Sequence, residues 1–299
     1  MLQMIPGANS HAPSGTIKDA LTINLHSGRT CADGRDPIGG GGVSAGNAVS
    51  SEIEWILDLM DQHQSQATFF VCDHSARVHA ASVKAITGRG HEIALLHCGH
   101  AVGAARESLQ QIVGRPVTGF RDDCYSLDRN DLTRWSALAE AGFRYDSSVL
   151  PYRSGPDTQV SLPRYPFRLA IDGDTLFEWP VATTEFFGGL FPVACEPCWL
   201  LVPYWLLRRS LRAFHWTNWP AVVAIEFDLR LSDPANVGTG TAKPSGRGGR
   251  AMRRLGLLLR DFRFETLESA IGRLRAADVT MLRLKSSPCA QTERSIKRN

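Results

Sequence analysis

Strand and helix signals alternate along the first half of this chain, and that alternation restricts its fold more than any other feature. Ala20 to Leu25 reads as a buried strand, and Ser51 with Glu54 forms a capping-box pair ahead of a helix whose face is Ile53, Ile56, Leu57 and Met60. Ala67 to Val71 predicts a second strand, 75 to 87 a helix closed by Gly88 and Gly90, and Glu92 to Leu96 a third strand. A shorter helix ends near Gly114, and Val117 to Phe120 is a fourth strand. A helix follows over 127 to 141, with Leu132, Trp135 and Leu138 inward and Gly142 as its C-cap, and Phe143 to Tyr145 is a fifth strand. Repeated strand–helix units imply a parallel sheet, open or closed into a barrel. In such folds chemistry gathers at the C-terminal ends of the strands.

The second half is less regular. Leu169 to Trp179 predicts a hairpin turning at Asp172-Gly173-Asp174, and Trp199 to Phe214 a helix. Helical spacing places Trp205 in the core, while Arg208, Arg209 and Arg212 read as a solvated face. Ala221 to Phe227 is a strong buried strand, and Thr239 to Arg250 a mobile Gly/Ser/Arg loop. Helices around Leu255 to Leu259 and Leu267 to Leu274 and a strand at Val279 to Leu284 complete the chain. One domain over 18–285 is expected, with a flexible N-terminus (1–17) and a basic, disordered tail (286–299).

Composition narrows the function. With 299 residues, 43% apolar and 21% charged, the chain is an ordinary globule. A net charge of +3 with scattered basic residues gives nucleic-acid binding no support. No apolar run is long enough to span a membrane, and the first 14 residues show no signal core. Seven cysteines, an odd count, argue against a disulfide framework and for a reducing cytoplasm. Cys195-Glu-Pro-Cys198 has zinc-ligand spacing, but no second Cys-x-x-Cys exists to complete a four-ligand site.

Polar groups recur at the strand ends: Asn24, His26 and Ser27; Cys72, Asp73 and His74; His97, Cys98 and His100; Arg121, Asp122, Asp123 and Cys124; Asp146 and Ser147; Glu226 and Asp228. A polar pocket is expected on that rim. His97-x-x-His100 has the residues to chelate a metal from a loop, given a further ligand from His26, Asp122 or Asp123. Tyr125, beside the Asp pair, is the candidate sugar-facing aromatic.

From about residue 18 to 275 the chain resembles the polysaccharide deacetylases of carbohydrate esterase family four, above all those found with exopolysaccharide assembly. The segments that carry the resemblance are Ala67-Thr68-Phe69-Phe70-Val71, Gly90-His91-Glu92-Ile93-Ala94, Gly119-Phe120-Arg121 and Ala141 to Ser148. Leu201 to Trp205 and Leu259 to Phe264 also fit. The resemblance implies a distorted (β/α) barrel of about seven strands. It also implies a divalent metal such as zinc, held by one Asp and two His, an Asp base, and a late His that protonates the leaving amine.

This chain departs from that pattern at the chemistry. Asn24 stands at the base position, Ser27 and Leu96 at two metal-ligand positions, and Phe227 at the acid position, while His100 keeps the third ligand. Arg121, the usual companion of the base, and Asp146, the usual companion of the acid, remain without those clients. The resemblance therefore leaves three readings. One is a weakly active or non-catalytic protein that still binds N-acetylated surface carbohydrate. A second is a hydrolase with a metal site rebuilt from His26, His97, His100, Asp122 and Asp123. The third is a scaffold in a polysaccharide assembly complex.

Overall fold

The computed structural model describes residues 2–5, 17–26, 49–99, 101–123, 125, 132–152, 162–171, 174–186, 188–195, 198–217, 219–228, 246–274 and 279–284. Its centre is a run of parallel strands: β2 (Asp19–His26), β3 (Thr68–Val71), β4 (Glu92–His97), β5 (Gly119–Asp122) and β6 (Tyr145–Asp146) lie side by side in chain order. The connecting helices are α1 (Ser51–Gln62), α2 (Asp73–Val78), α3 (Ala80–Gly88), α4 (Val102–Val113) and α5 (Leu132–Glu140). The run continues past β6 with β8 (Asp174–Glu178), which pairs antiparallel with β7 (Phe167–Ile171), and past β2 with β11 (Val222–Asp228). From β8 to β11, seven strands are parallel, as the sequence leads one to expect.

The expected barrel is an open one. Among the described residues no strand pairing joins β11 to the other end of the sheet. Irregular backbone covers the gap: Ala182 N donates to Val222 O at 3.0 Å and Ala224 N to Ala194 O at 2.7 Å. The apolar strand faces explain the rest. Leu21, Ile23, Leu25, Phe69, Val71, Ile93, Leu95 and Phe120 are buried, as are Ile53, Ile56, Leu57 and Met60 on α1. Alternation along each strand leaves the opposite side to Thr22, Asn24, Phe70 and Arg121.

Several expectations are corrected. Leu2–Ile5, inside the expected flexible N-terminus, forms β1, antiparallel to β13 (Thr280–Leu284) at the sheet edge. The helix expected over 75–87 is two, broken at His79, whose φ of −112° leaves the helical range. Pro203 interrupts the helix expected over 199–214, giving α6 (Cys198–Leu201) and α7 (Tyr204–His215), because proline lacks an N–H and disfavours helix before it. The expected loop at 239–250 is helical from Gly246, the start of α8 (Gly246–Asp261), where buried Ala251, Met252 and Leu255 outweigh the glycine penalty. Strand β5 runs two residues past its expected end, through a buried arginine. The hairpin β9 (Thr184–Phe186) and β10 (Gly189–Phe191), the short β12 (Phe264–Glu265) on β2 and α9 (Leu267–Arg273) complete the elements.

Candidate functional site

Arg121 organises the pocket side of the strands. It is fully buried, because the backbone of β5 aims it across the sheet toward β2. Its Nη1 donates to Thr22 Oγ1 at 2.8 Å and to Asn24 Oδ1 at 2.9 Å. Its Nε donates to Ser147 O at 2.9 Å and its Nη2 to Ser147 Oγ at 2.8 Å. The guanidinium lies 4.0 Å from the Phe70 ring centroid and 5.5 Å from that of Tyr125. Arg121 therefore does have a client in Asn24, contrary to the reading from sequence. Thr22, Phe70 and Ser147 are partners that the sequence reading missed. Thr22 was findable, since it lies two residues before Asn24 on the same strand face.

Asn24 is turned by this contact. With its amide oxygen on Arg121, its Nδ2 donates to Tyr125 Oη at 3.2 Å. Tyr125 is half-buried and sits at φ +49°, a left-handed conformation uncommon for a bulky residue. Backbone strain of that kind persists where the surroundings hold it, and here Tyr125 N also donates to Asp122 O at 3.1 Å.

Asp146 does not sit with Arg121. Its carboxylate accepts from Trp135 Nε1 of α5 at 3.3 Å and from Ser148 Oγ in a very short bond. Its register partner on β8 is Glu178, whose Oε1 accepts from Val149 N at 3.1 Å. Both carboxyls are fully buried on neighbouring strands, where burial and the nearby charge favour a proton on Glu178. Burial lifts Asp146 to about 6. Burial and the Asp146 charge hold Glu178 well above the carboxylate range. Glu178 also escaped the sequence reading, although a lone charge between Phe177 and Trp179 was a signal for it.

Of the candidate metal ligands, His97, Asp122 and Asp123 lie at the adjoining ends of β4 and β5. Leu96 is buried where the resemblance implies a metal-binding His. His97, one residue on, faces the helix side and packs against Phe120 with ring centroids 5.5 Å apart. Asp122 is its register partner there and pairs with Arg134 of α5 at 3.2 Å. Asp123 is buried in the following turn, its N–H donating to His97 O at 3.3 Å. Ser27, His100 and the side chain of His26 lie outside the described residues. Among the described residues no three His, Cys, Asp or Glu side chains are placed to hold a metal. On β11 the Cα partner of Asn24 is Glu226, and Phe227, at the acid position that the resemblance implies, is opposite Leu25.

Cys72 caps α2, its thiol accepting from Ser75 N at 3.4 Å. Hydrogen bonding from Cys98 at the end of β4, then from Ser75, outweighs burial and brings Cys72 down to about 6. The tryptophan expectations divide. Trp199 is fully buried and Trp219 stacks on Tyr165 at 6.3 Å, but Trp205 is exposed, against expectation, because Leu207, Leu211 and Phe214 take the buried stripe of α7.

No protein-family model matches the chain, and no curated protein sequence matches it. Solved structures do. A protein from Mycobacterium smegmatis named as a polysaccharide deacetylase superposes with a TM-score of 0.59 at 18% identity, over 95% of this chain and 99% of that one. The 4-alpha-glucanotransferase of Thermococcus litoralis superposes with a TM-score of 0.54 at 12% identity, over 95% of this chain and 45% of that one. The chain thus has the polysaccharide deacetylase-like fold, an α/β architecture with a mostly parallel sheet.

Proposed function

We propose that this chain binds N-acetylated surface polysaccharide and does not remove its acetyl groups at the rates of an ordinary deacetylase. The observation that carries this reading is the Arg121–Asn24 contact. An amide whose oxygen is held by a guanidinium and whose nitrogen donates to Tyr125 accepts no proton from an attacking water. Arg121 holds Asn24 beside Tyr125, whose half-buried ring is the surface this reading assigns to stacking on a pyranose. The odd count of seven cysteines favours a reducing, cytoplasmic setting for it.

Calorimetric titration with N-acetylglucosamine oligosaccharides tests the binding half of the proposal. Saturable binding is expected, with Tyr125→Ala lowering affinity about tenfold, the worth of one good stacking contact. No binding, or equal affinity in the variant, contradicts it.

A further inference from the structure

Helix α7 presents a stripe that neither the fold nor the pocket uses. Trp205, Arg209, Arg212 and Trp216 follow i, i+4, i+7, i+11 spacing, so they fall within about 60° of one another around the axis. Trp205 is 66% exposed and Trp216 82%, and Leu201 in the preceding turn is 72% exposed. The helix itself is firmly seated. Leu207, Leu211 and Phe214 are buried beneath it, Tyr204 Oη donates to Leu257 O at 2.8 Å, Arg208 pairs with Asp261 at 2.9 Å, and His215 Nε2 lies 2.8 Å from Asp19. The indoles are therefore held outward by a fixed helix.

Charge is concentrated on the same elements. Residues 198–220 and 246–260 contain eight arginines and no acid, against a net charge of only +3 for the whole chain. On α8, packed beside α7, Arg250, Arg253 and Arg260 are exposed. The nearby acids are occupied: Asp261 by Arg208 and Arg260, and Glu185 by Arg164 at 2.7 Å. Next to the stripe, between α7 and the β9–β10 hairpin, opens a cleft of about 770 Å³ walled by Phe186, Phe191, Trp205 and Phe214.

We propose that this face docks on an anionic phospholipid surface. Trp205 and Trp216 sit at the depth of the headgroups, and Arg209 and Arg212 contact phosphates. The order of residues argues for a lipid layer. Tryptophan and arginine share one line, so an apolar protein groove would have to bury guanidiniums between the indoles. A headgroup layer accommodates both at one level, because indoles favour the interface and basic side chains favour anionic lipid.

Flotation with phosphatidylcholine vesicles, with and without phosphatidylglycerol, tests this directly. Binding is expected only with phosphatidylglycerol, weakening as salt rises, and with a blue shift of tryptophan emission. Arg209→Glu with Arg212→Glu should lower partitioning at least tenfold, and Trp205→Ser with Trp216→Ser should abolish the blue shift. Arg144→Glu, at an exposed arginine outside these helices, should change nothing. Should the charge reversal fail to fold by circular dichroism, Arg209→Gln with Arg212→Gln carries the same test. Three results would overturn the proposal: no binding to phosphatidylglycerol vesicles, equal binding by the arginine variants, or retention by a soluble acidic polysaccharide without vesicle binding.

Discussion

Gly119→Ala should destabilise this protein by about 4 kcal/mol, lowering the thermal midpoint by roughly 6 °C. A Cβ at Gly119 would lie 2.1 Å from both Cζ and Oη of Tyr145 and 2.7 Å from its Cε2. The ring has nowhere to go. Tyr145 is fully buried, and its hydroxyl donates to Glu92 Oε1 at 2.6 Å. Glu92 Oε2 accepts from Thr68 Oγ1 at 2.6 Å and from Glu268 N at 3.1 Å, and Thr68 Oγ1 accepts from Leu267 N at 2.8 Å. Displacing the ring breaks a hydrogen-bonded chain that ties β6 to β4, β3 and α9. Overpacking and a lost buried bond each cost about 1–3 kcal/mol, and here they act together. Differential scanning calorimetry of the variant checks this, and an unchanged midpoint would mean that the strands are not packed as described.

Glu178→Gln should remove most of the alkaline loss of stability. Below the unfolded carboxyl value of 4.5, Glu178 holds its proton in both states, and the buried pair with Asp146 contributes fully. As pH rises through the window above 4.5, the unfolded chain releases that proton while the folded chain keeps it. Stability then falls by up to about 1.4 kcal/mol per pH unit until the raised folded value is passed. Asp146, lifted to about 6, adds a loss of the same sign over its own interval. Glutamine accepts from Val149 N as the acid does, but has no proton to lose. Urea unfolding at pH 5, 6.5 and 8 should show the variant gaining on the parent by about 1 kcal/mol per unit. A difference that stays constant across that range would mean that burial does not hold a proton on Glu178 in the folded chain.

Much of the fold was legible because the strand period is written in the sequence. Asn24 was correctly read at the end of β2, and alternation alone separates Leu96 from His97. What Asn24 binds was not legible. The bond from Arg121 crosses 97 residues and three strand pairings, and no local pattern encodes it. Glu178 lies 32 residues from Asp146, and only the β6–β8 pairing brings them together. Trp205 was misplaced because Leu207, Leu211 and Phe214 form a competing stripe on α7, and the deeper of two apolar stripes cannot be chosen without the neighbouring helix. The β5 boundary failed for a related reason. A charge usually ends a buried strand, but Arg121 finds four acceptor contacts there.

The central proposal is that Asn24, an amide, stands where the resemblance to deacetylases implies a base. Acetate release from N-acetylglucosamine oligosaccharides, assayed with added zinc or cobalt, tests it most directly. The account predicts background release for the parent protein. It predicts the same for Asn24→Asp, because Leu96 and Ser27 still occupy two positions where the resemblance implies metal ligands. Turnover by the parent at the rate of an ordinary deacetylase would contradict it.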